Sequence, residues 1–183
     1  VKLLLLFVAS LIVIACGVRA NLFAGAWGMY ANIVITVLWI AGITSAFNSI
    51  DNTDGAAGGT ASVAAAGVCA VELLGRASPE SPYVVALACA VLGACLGFLR
   101  YNWPKARIYL GDNGSFFLGF TLASLLLLTN WSQNPIRSAA IPVVLMTVPL
   151  LDICLSTLLR YHRGVVRTIR EAIVYCGHDH LAH

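Results

Sequence analysis

Six apolar runs, each close to the length that crosses a lipid bilayer, constrain the fold of this chain more than any other feature. They cover residues 3–18, 29–47, 56–74, 83–99, 115–129 and 139–159. A helix that spans the hydrocarbon core needs roughly 20 mostly apolar residues. Because 60% of the chain is hydrophobic and only 10% is charged, against about 25% in soluble domains, the sequence predicts an all-α, polytopic transmembrane helical bundle of about six spans.

The distribution of Lys and Arg predicts which side of the bundle faces the cytoplasm. Six spans place residue 2, loops 48–55 and 100–114, and the tail 160–183 on one side, with eight of the eleven basic residues. Cytoplasmic segments of membrane proteins carry an excess of Lys and Arg, so we expect this side to be cytoplasmic. We expect residues 1–183 to form one integral membrane domain, an internal piece of a longer protein, with a His-containing cytoplasmic loop over 160–183.

The first polar loop contains two carboxylates within the sequence NSIDNTDG, residues 48–55. Asp51 and Asp54 are three residues apart, which would place them on the same side of a helical turn. Two carboxylates that close repel each other unless a cation or a proton lies between them. Oxygen-rich clusters of this kind suit Mg²⁺ or Mn²⁺ better than zinc. The alternative is that Asp54 caps the helix that begins after Gly55.

The second polar loop precedes the fifth apolar run and ends in Gly-Asp-Asn-Gly-Ser. Asp112 lies where a helix should begin, and there it either caps the helix or holds a metal beside a phosphate. Lys105 and Arg107 supply positive charge for an anionic substrate. Asn102 offers a hydrogen-bond donor and acceptor, and Tyr109 offers a stacking ring. These two residues are suited to a nucleobase.

Two further features leave alternatives open. His180 and His183 are three residues apart and suit a shared metal, but histidines beside carboxylates of the magnesium type more often contact phosphate or carry protons. An unstructured tail is the other interpretation. Asp152 lies inside the sixth apolar run, where an ionisable group indicates a functional site. It is otherwise a buried structural group, paired with an Arg or with a backbone amide freed beside Pro149.

Four segments together resemble one family, the polyprenyl-phosphate N-acetylhexosaminyl-1-phosphate transferases of bacterial envelope synthesis. The loop FLRYNWPKARIYLGDNGS, residues 98–115, is similar to the family's Tyr-Asn-x-x-Pro-Ala-x-Ile-Phe-Met-Gly-Asp-x-Gly-Ser sequence. The segment NSIDNTDG is similar to its Asn-Leu-Leu-Asp-Asn-Met-Asp-Gly motif. Residues 149–152 followed by Arg160 resemble a late spanning helix, and HDHLAH at 178–183 resembles a His-rich cytoplasmic motif. The family's Asp-Asp motif would precede residue 1.

The resemblance implies roles for individual residues in catalysis and metal binding. Asp112 would bind Mg²⁺ (or Mn²⁺), with Asp51 as a second candidate ligand. Asp51 and Asp54 would line the diphosphate of a nucleotide sugar and act in catalysis. His180 and His183 would contact phosphate.

The resemblance also implies how the substrates are bound. Asn48 would line the same diphosphate. Asn102 and Tyr109 would hold the uracil, while Lys105 and Arg107 would bind negative charge.

The activity implied is transfer of a sugar 1-phosphate, GlcNAc-1-phosphate first, from a UDP-sugar to polyprenyl phosphate, with release of UMP. The alternatives are a phospho-MurNAc-pentapeptide transferase, or a non-catalytic or transport membrane protein. A transporter would place its carboxylates near the middle of the membrane. The resemblance implies a multi-pass protein of the bacterial inner membrane with a cytoplasmic active site. The expected partners are the two substrates, membrane lipid and a second copy in a homodimer, and no nucleic acid.

Overall fold

The fold is built from helices throughout the part of the chain that the computed structural model describes, residues 2–74, 81–129 and 135–162. The helices are α1 Lys2–Ala15, α2 Gly25–Ile50, α3 Ala56–Leu74, α4 Ser81–Asn102, α5 Gly111–Leu128, α6 Pro135–Leu145 and α7 Thr147–His162. The all-α expectation is therefore confirmed. Large apolar side chains are exposed along these helices, as a multi-pass membrane protein requires.

The antiparallel pair α2 and α5 forms the centre of the bundle. Their backbones approach closely at Gly119, where an added Cβ would lie 2.8 Å from the Cα of Thr44. Further along the pair, the indole Nε1 of Trp39 donates a hydrogen bond of 3.2 Å to the carbonyl oxygen of Ala123. Small residues allow such close packing in lipid. The pair brings the end of α2 beside the start of α5, and this shared end carries the polar loops.

A second pair, α3 and α4, packs through the small residues of α3. The buried side of α3 includes Ala57, Gly58, Ala61, Ser62, Ala64 and Ala65. At Gly58, an added Cβ would lie 3.1 Å from the ring of Phe98 and 3.2 Å from the side chain of Leu99. The pair α3–α4 therefore joins the two polar loops from the other side, because the first loop precedes α3 and the second follows α4.

Within the described residues, fewer helices than the six predicted spans are long and apolar enough to cross a bilayer. Four helices, α2 to α5, are long and apolar enough to span a bilayer, and α6 and α7 together make a fifth if the bent pair counts as one span. The first apolar run gives only a 14-residue helix. This helix ends in a Schellman turn, in which Gly17 adopts a φ of 89°, Gly17 N–H bonds to Ile14 and Val18 N–H bonds to Val13.

The sixth apolar run is broken at Met146, where the axis turns by 71°. Pro149 has no N–H to donate to the carbonyl of Leu145, and its ring clashes with that carbonyl in a regular helix. The hydroxyl of Thr147 lies 2.7 Å from the carbonyl oxygen of Val144 and provides a donor at the break. The bend turns α7 towards the end of α2, against which it packs.

Candidate active site

The two polar loops are clasped together by the buried side chain of Asn102, the last residue of α4. Its Oδ1 accepts a hydrogen bond of 2.7 Å from the backbone N–H of Gly55. Its Nδ2 donates a bond of 2.8 Å to the carbonyl oxygen of Ile108. Asn102 thus links the first loop, residues 51–55, to the second loop, residues 103–110. The expected contact of Asn102 with a nucleobase stays a prediction, and this geometry gives the residue a structural task as well.

Two more contacts join the same loops. The carboxylate of Asp54 accepts a hydrogen bond of 2.9 Å from the backbone N–H of Ala106. Gly55 adopts a φ of 74°, and a Cβ there would overlap the indole ring of Trp103. Only glycine adopts this backbone conformation at no steric cost, and only glycine leaves room for the Trp103 ring. Gly55 therefore fits this position on both grounds, while Asp54 supplies the bond to Ala106. Asp54 therefore bonds to the second loop, and its role as a helix cap stays a prediction.

Asp51 and Asp54 do not share the side of a helical turn, contrary to the expectation from their spacing. Helix α2 ends at Ile50, and Asp51 is its C-cap residue. The chain then turns, so that Asp54 meets Ala106 while Asp51 faces Gly111 at the start of α5. The i, i+3 rule holds only inside a continuous helix, and the helix stops before it applies.

Asp51 lies instead within electrostatic range of Asp112, whose backbone neighbour Gly111 donates a hydrogen bond to it. The pKa of Asp51 is raised from 3.8 to about 6, and burial is the largest cause. The negative charge of Asp112 also raises the pKa, and a hydrogen bond from the backbone N–H of Gly111 lowers it. The first turn of α5, which contains Asp112, has backbone N–H groups without partners inside the helix, and these favour an anion. Asp51 and Asp112, which we call the carboxylate pair, therefore sit where two helix ends meet.

Asn48 and Ser115 connect the two helices that carry the carboxylate pair. The hydroxyl of Ser115 is fully buried and lies 2.9 Å from the Oδ1 of Asn48, to which it donates. It also lies 3.0 Å from the carbonyl oxygen of Gly111. Ser115 was missed as a functional residue from the sequence. The available signal was its position in the first turn of the helix after Asp112. There it lies on the same helix face as Gly111.

The donors of the carboxylate pair fit magnesium. Mg²⁺ is usually held by one or two carboxylates together with substrate phosphates and water, rather than by a cage of protein ligands. Within residues 2–74, 81–129 and 135–162, no three His, Cys, Asp or Glu side chains form a metal-binding group. Asp51 and Asp112 would thus hold the ion through two oxygens and leave its other positions to phosphate oxygens.

The predicted substrate contacts of the second loop lie on its surface. Lys105, Arg107 and Tyr109 are all exposed, and Tyr109 keeps 71% of its accessible area. Lys105 adopts a φ of 79°, a strained conformation that is uncommon for a residue with a side chain. These residues are open to a ligand, and their roles in binding negative charge and a nucleobase stay predictions.

An apolar groove of about 410 Å³ runs from Asp112 along α1 and α5. The polar end contains Asp112 and Asn113, and the rest is formed by Leu5, Leu6, Ala9, Phe116, Phe117 and Phe120. With a divalent cation bound to Asp112, this combination would suit a molecule with an anionic head and an apolar tail.

Asp152 lies beside the last turn of α2, where its Oδ2 accepts a hydrogen bond of 3.1 Å from the hydroxyl of Ser49. Among the described residues, this serine hydroxyl is the partner found for Asp152, so the structural alternative of a paired group stays open. Asp51, Asp54, Asp112 and Asp152 all contact or adjoin the shared end of the helices. Residues 160–162 of the predicted loop belong to the end of α7, and its remainder, with His180 and His183, lies outside the described residues.

The sequence of this chain matches the family model described as glycosyl transferase family 4 over residues 1–130. A probable undecaprenyl-phosphate N-acetylglucosaminyl 1-phosphate transferase of Bacillus subtilis is 32% identical over 161 residues, which cover 83% of this chain and 43% of that protein. A decaprenyl-phosphate N-acetylglucosaminephosphotransferase of Mycobacterium tuberculosis is 31% identical over 73% of this chain and 37% of that protein.

A phospho-N-acetylmuramoyl-pentapeptide-transferase of Trichormus variabilis is also similar, with 41% identity over 87 residues. That match covers 48% of this chain and 22% of the cyanobacterial protein. The chain thus spans less than half the length of these relatives. The matches to the N-acetylglucosamine 1-phosphate transferases extend over more of the chain.

Proposed function

Because this chain belongs to glycosyl transferase family 4, we propose that it is the core of a membrane enzyme that transfers a sugar 1-phosphate to polyprenyl phosphate. The donor is a UDP-sugar, with UDP-GlcNAc first, and the second product is UMP. The observation that carries this proposal is the carboxylate pair at the shared end of α2 and α5. The names of the Bacillus and Mycobacterium relatives support the choice of substrates.

In the proposed reaction, a phosphate oxygen of the polyprenyl phosphate attacks the β-phosphorus of the UDP-sugar. A new P–O bond forms there, and the bond from the β-phosphorus to the bridging oxygen breaks. That oxygen leaves with its electron pair as part of UMP. Both reactants are anions, so their approach requires neutralisation of charge.

Members of the family depend on a metal in general, and Mg²⁺ bound here would neutralise charge on the phosphates. Asp51 and Asp112 would hold the ion. The amide of Asn48, whose oxygen faces Ser115, presents its NH₂ group as a hydrogen-bond donor. Backbone N–H groups in the first turn of α5 add partial positive charge. Lys105 and Arg107 extend the positive field at the open edge of the site.

In this proposal, the acceptor lies in the apolar groove. Its phosphate would lie at the end that contains Asp112 and Asn113, and the first isoprene units would lie against the three phenylalanines of α5. Burial of apolar surface favours this placement by about 25 cal/mol per Å². A lipid acceptor also explains why the polar end at Asp112 continues into an apolar groove.

The proposed location of the site is the cytoplasmic face of the bacterial inner membrane. The support is the distribution of basic residues, eight of which fall on the side of the polar loops when six spans are assumed. A count of five spans starting at α2 still leaves both polar loops on one side, because α3 and α4 separate them. The homodimer remains an expectation from the family.

A phospho-MurNAc-pentapeptide transferase is the second candidate, since the Trichormus relative matches 41% over 87 residues. The two functions differ in the donor and share the chemistry. Competition between UDP-GlcNAc and UDP-MurNAc-pentapeptide for the complete protein separates them. We expect product from UDP-GlcNAc, and exclusive use of the pentapeptide donor would reverse the assignment.

The direct test uses the complete protein in detergent with polyprenyl phosphate, UDP-GlcNAc and Mg²⁺. The wild type should release UMP and form a lipid-linked sugar, and addition of EDTA should stop both. Asp112→Asn removes a charged ligand with almost no change of shape, and we expect it to lower kcat by a factor of about 10³ or more. Full activity of this variant, with an unchanged melting temperature, would rule out the assigned role of Asp112.

A further inference from the structure

The carboxylate of Asp152 has no part in the proposed reaction. Its hydrogen-bond partner Ser49, however, is the residue next to Asn48 in α2. Helix α7 packs against α2, and the contact includes the 3.1 Å hydrogen bond from the Ser49 hydroxyl to Asp152. Ser49 belongs to the last turn of α2. It directly follows Asn48 and precedes Asp51 by two positions.

The last turn of α2 is thus held by two helices through neighbouring side chains. Ser115 on α5 bonds to Asn48, and Asp152 on α7 bonds to Ser49. Successive residues of an α-helix point about 100° apart, so the two bonds hold the turn from different directions. Two such restraints resist both translation of the turn and its rotation about the helix axis.

This turn carries Asp51, whose position relative to Asp112 determines whether both can hold one ion. Metal sites tolerate only small displacements of their ligands, and outer hydrogen bonds commonly orient them. A carboxylate inside an apolar helix is costly, and one hydrogen bond from a serine offsets only part of that cost. The carboxylate thus lowers the stability of α7, and its hydrogen bond restrains the turn of α2 that carries Asp51.

The break at Met146 belongs to the same arrangement. Because the axis turns by 71° there, α7 leaves the direction of α6 and packs on the end of α2. Asp152 follows the break by six residues and lies on the part of α7 that has been redirected. The bend, Asp152 and Ser49 therefore form one continuous support for the end of α2.

We propose that Asp152 is a positioning residue which, through its hydrogen bond with Ser49, fixes the last turn of α2 and thereby the placement of Asn48 and Asp51 opposite Asp112. This inference rests on the proposed function. Asp152 acts here as a hydrogen-bond acceptor, and its contribution does not require contact with substrate or metal.

The test compares Ser49→Ala, Asp152→Ala, the double variant and Asp152→Asn in the complete protein. Two quantities are measured, kcat for UMP release and the affinity for Mn²⁺ alone by electron paramagnetic resonance. Each alanine variant should lower both by about tenfold, the size expected for one hydrogen bond to a charged group. The KM for UDP-GlcNAc should stay within about twofold, because the substrate contacts are elsewhere.

Two patterns separate positioning from a general loss of stability. The double variant should be no worse than either single variant, since both remove one bond. Asp152→Asn should recover most of the activity, because its carboxamide oxygen accepts the same bond. The matched control is Ser62→Ala, which removes a buried hydroxyl that bonds only to Gly58 in its own helix, and it should leave both quantities unchanged.

Specific outcomes overturn the inference. If Asp152→Asn is as damaging as Asp152→Ala, the charge of Asp152 acts and the hydrogen bond does not. If Ser49→Ala is fully active, or if the two alanine variants add, the bond to Ser49 has no role in positioning. A wild type that binds Mn²⁺ but transfers no sugar phosphate would refute the proposed function, and the Mn²⁺ affinities would still decide the inference.

Discussion

Asn102 is the side chain whose removal should separate the two loops of the candidate site. Asn102→Ala leaves the buried N–H of Gly55 and the carbonyl of Ile108 without their partners. An unsatisfied buried donor costs about 1–3 kcal/mol, and loss of the second bond adds about 0.5–1.5 kcal/mol. We therefore expect destabilisation by about 2–4 kcal/mol. For a chain of this size, that corresponds to a fall in melting temperature of roughly 5–15 °C.

The assay is thermal unfolding of the complete protein in detergent, followed by far-ultraviolet circular dichroism, in parallel with UMP release. Asn102→Asp keeps the acceptor for Gly55 and loses the donor for Ile108, so its melting temperature should lie between those of the wild type and Asn102→Ala. Asn21→Ala, at an exposed position, is the control and should be neutral. An unchanged melting temperature together with a tenfold higher KM for the UDP-sugar would refute the clasp and favour a nucleobase contact.

Three other predictions concern helix packing and the effect of pH on metal affinity and on stability. Gly119→Ala brings a Cβ within 2.8 Å of the Thr44 backbone, so it should lower stability by about 1–3 kcal/mol in the same melt, whereas Gly97→Ala, with open space around it, should not. Because burial raises the pKa of Asp51 to about 6, affinity for Mn²⁺ should fall about tenfold per pH unit below 6 and level off above it, as isothermal calorimetry would measure. With EDTA present to remove metal ions, the raised pKa means that the folded protein favours the protonated carboxyl of Asp51. Its contribution to stability should be complete below pH 3.8 and should be lost as the pH rises through about 6. A melting temperature that stays constant over that range would contradict this prediction.

The bundle was predictable because runs of apolar residues respond to one dominant constraint, the need to satisfy the backbone within lipid. The breaks were not fully predictable. Composition extends the first apolar run to residue 18, but Gly17 ends α1 earlier through its left-handed conformation. Pro142 and Pro149 of the sixth run were visible in the sequence, yet the size and direction of the bend depend on what α7 packs against.

The candidate site shows the same division. Asp112 was identifiable from the glycines and the helix start around it, because helix N-termini attract anions. The partner of Asp51 was not, since spacing along the chain pairs it with Asp54 and only the end of α2 at Ile50 turns the two apart. Ser49 and Ser115 are common residues whose role depends on which helix faces them, and such contacts are 103 and 67 residues apart in the sequence.

The claim that Asp51 and Asp112 together hold one divalent ion is tested most directly by Mn²⁺ binding to the complete protein, measured by electron paramagnetic resonance. The wild type should bind one ion at this site, and Asp51→Asn and Asp112→Asn should each abolish that binding. Asp54→Asn should retain it, because the Asp54 carboxylate bonds to the Ala106 backbone on the other side of the first loop. Retained binding in either of the first two variants, or loss of binding in Asp54→Asn alone, would contradict the account.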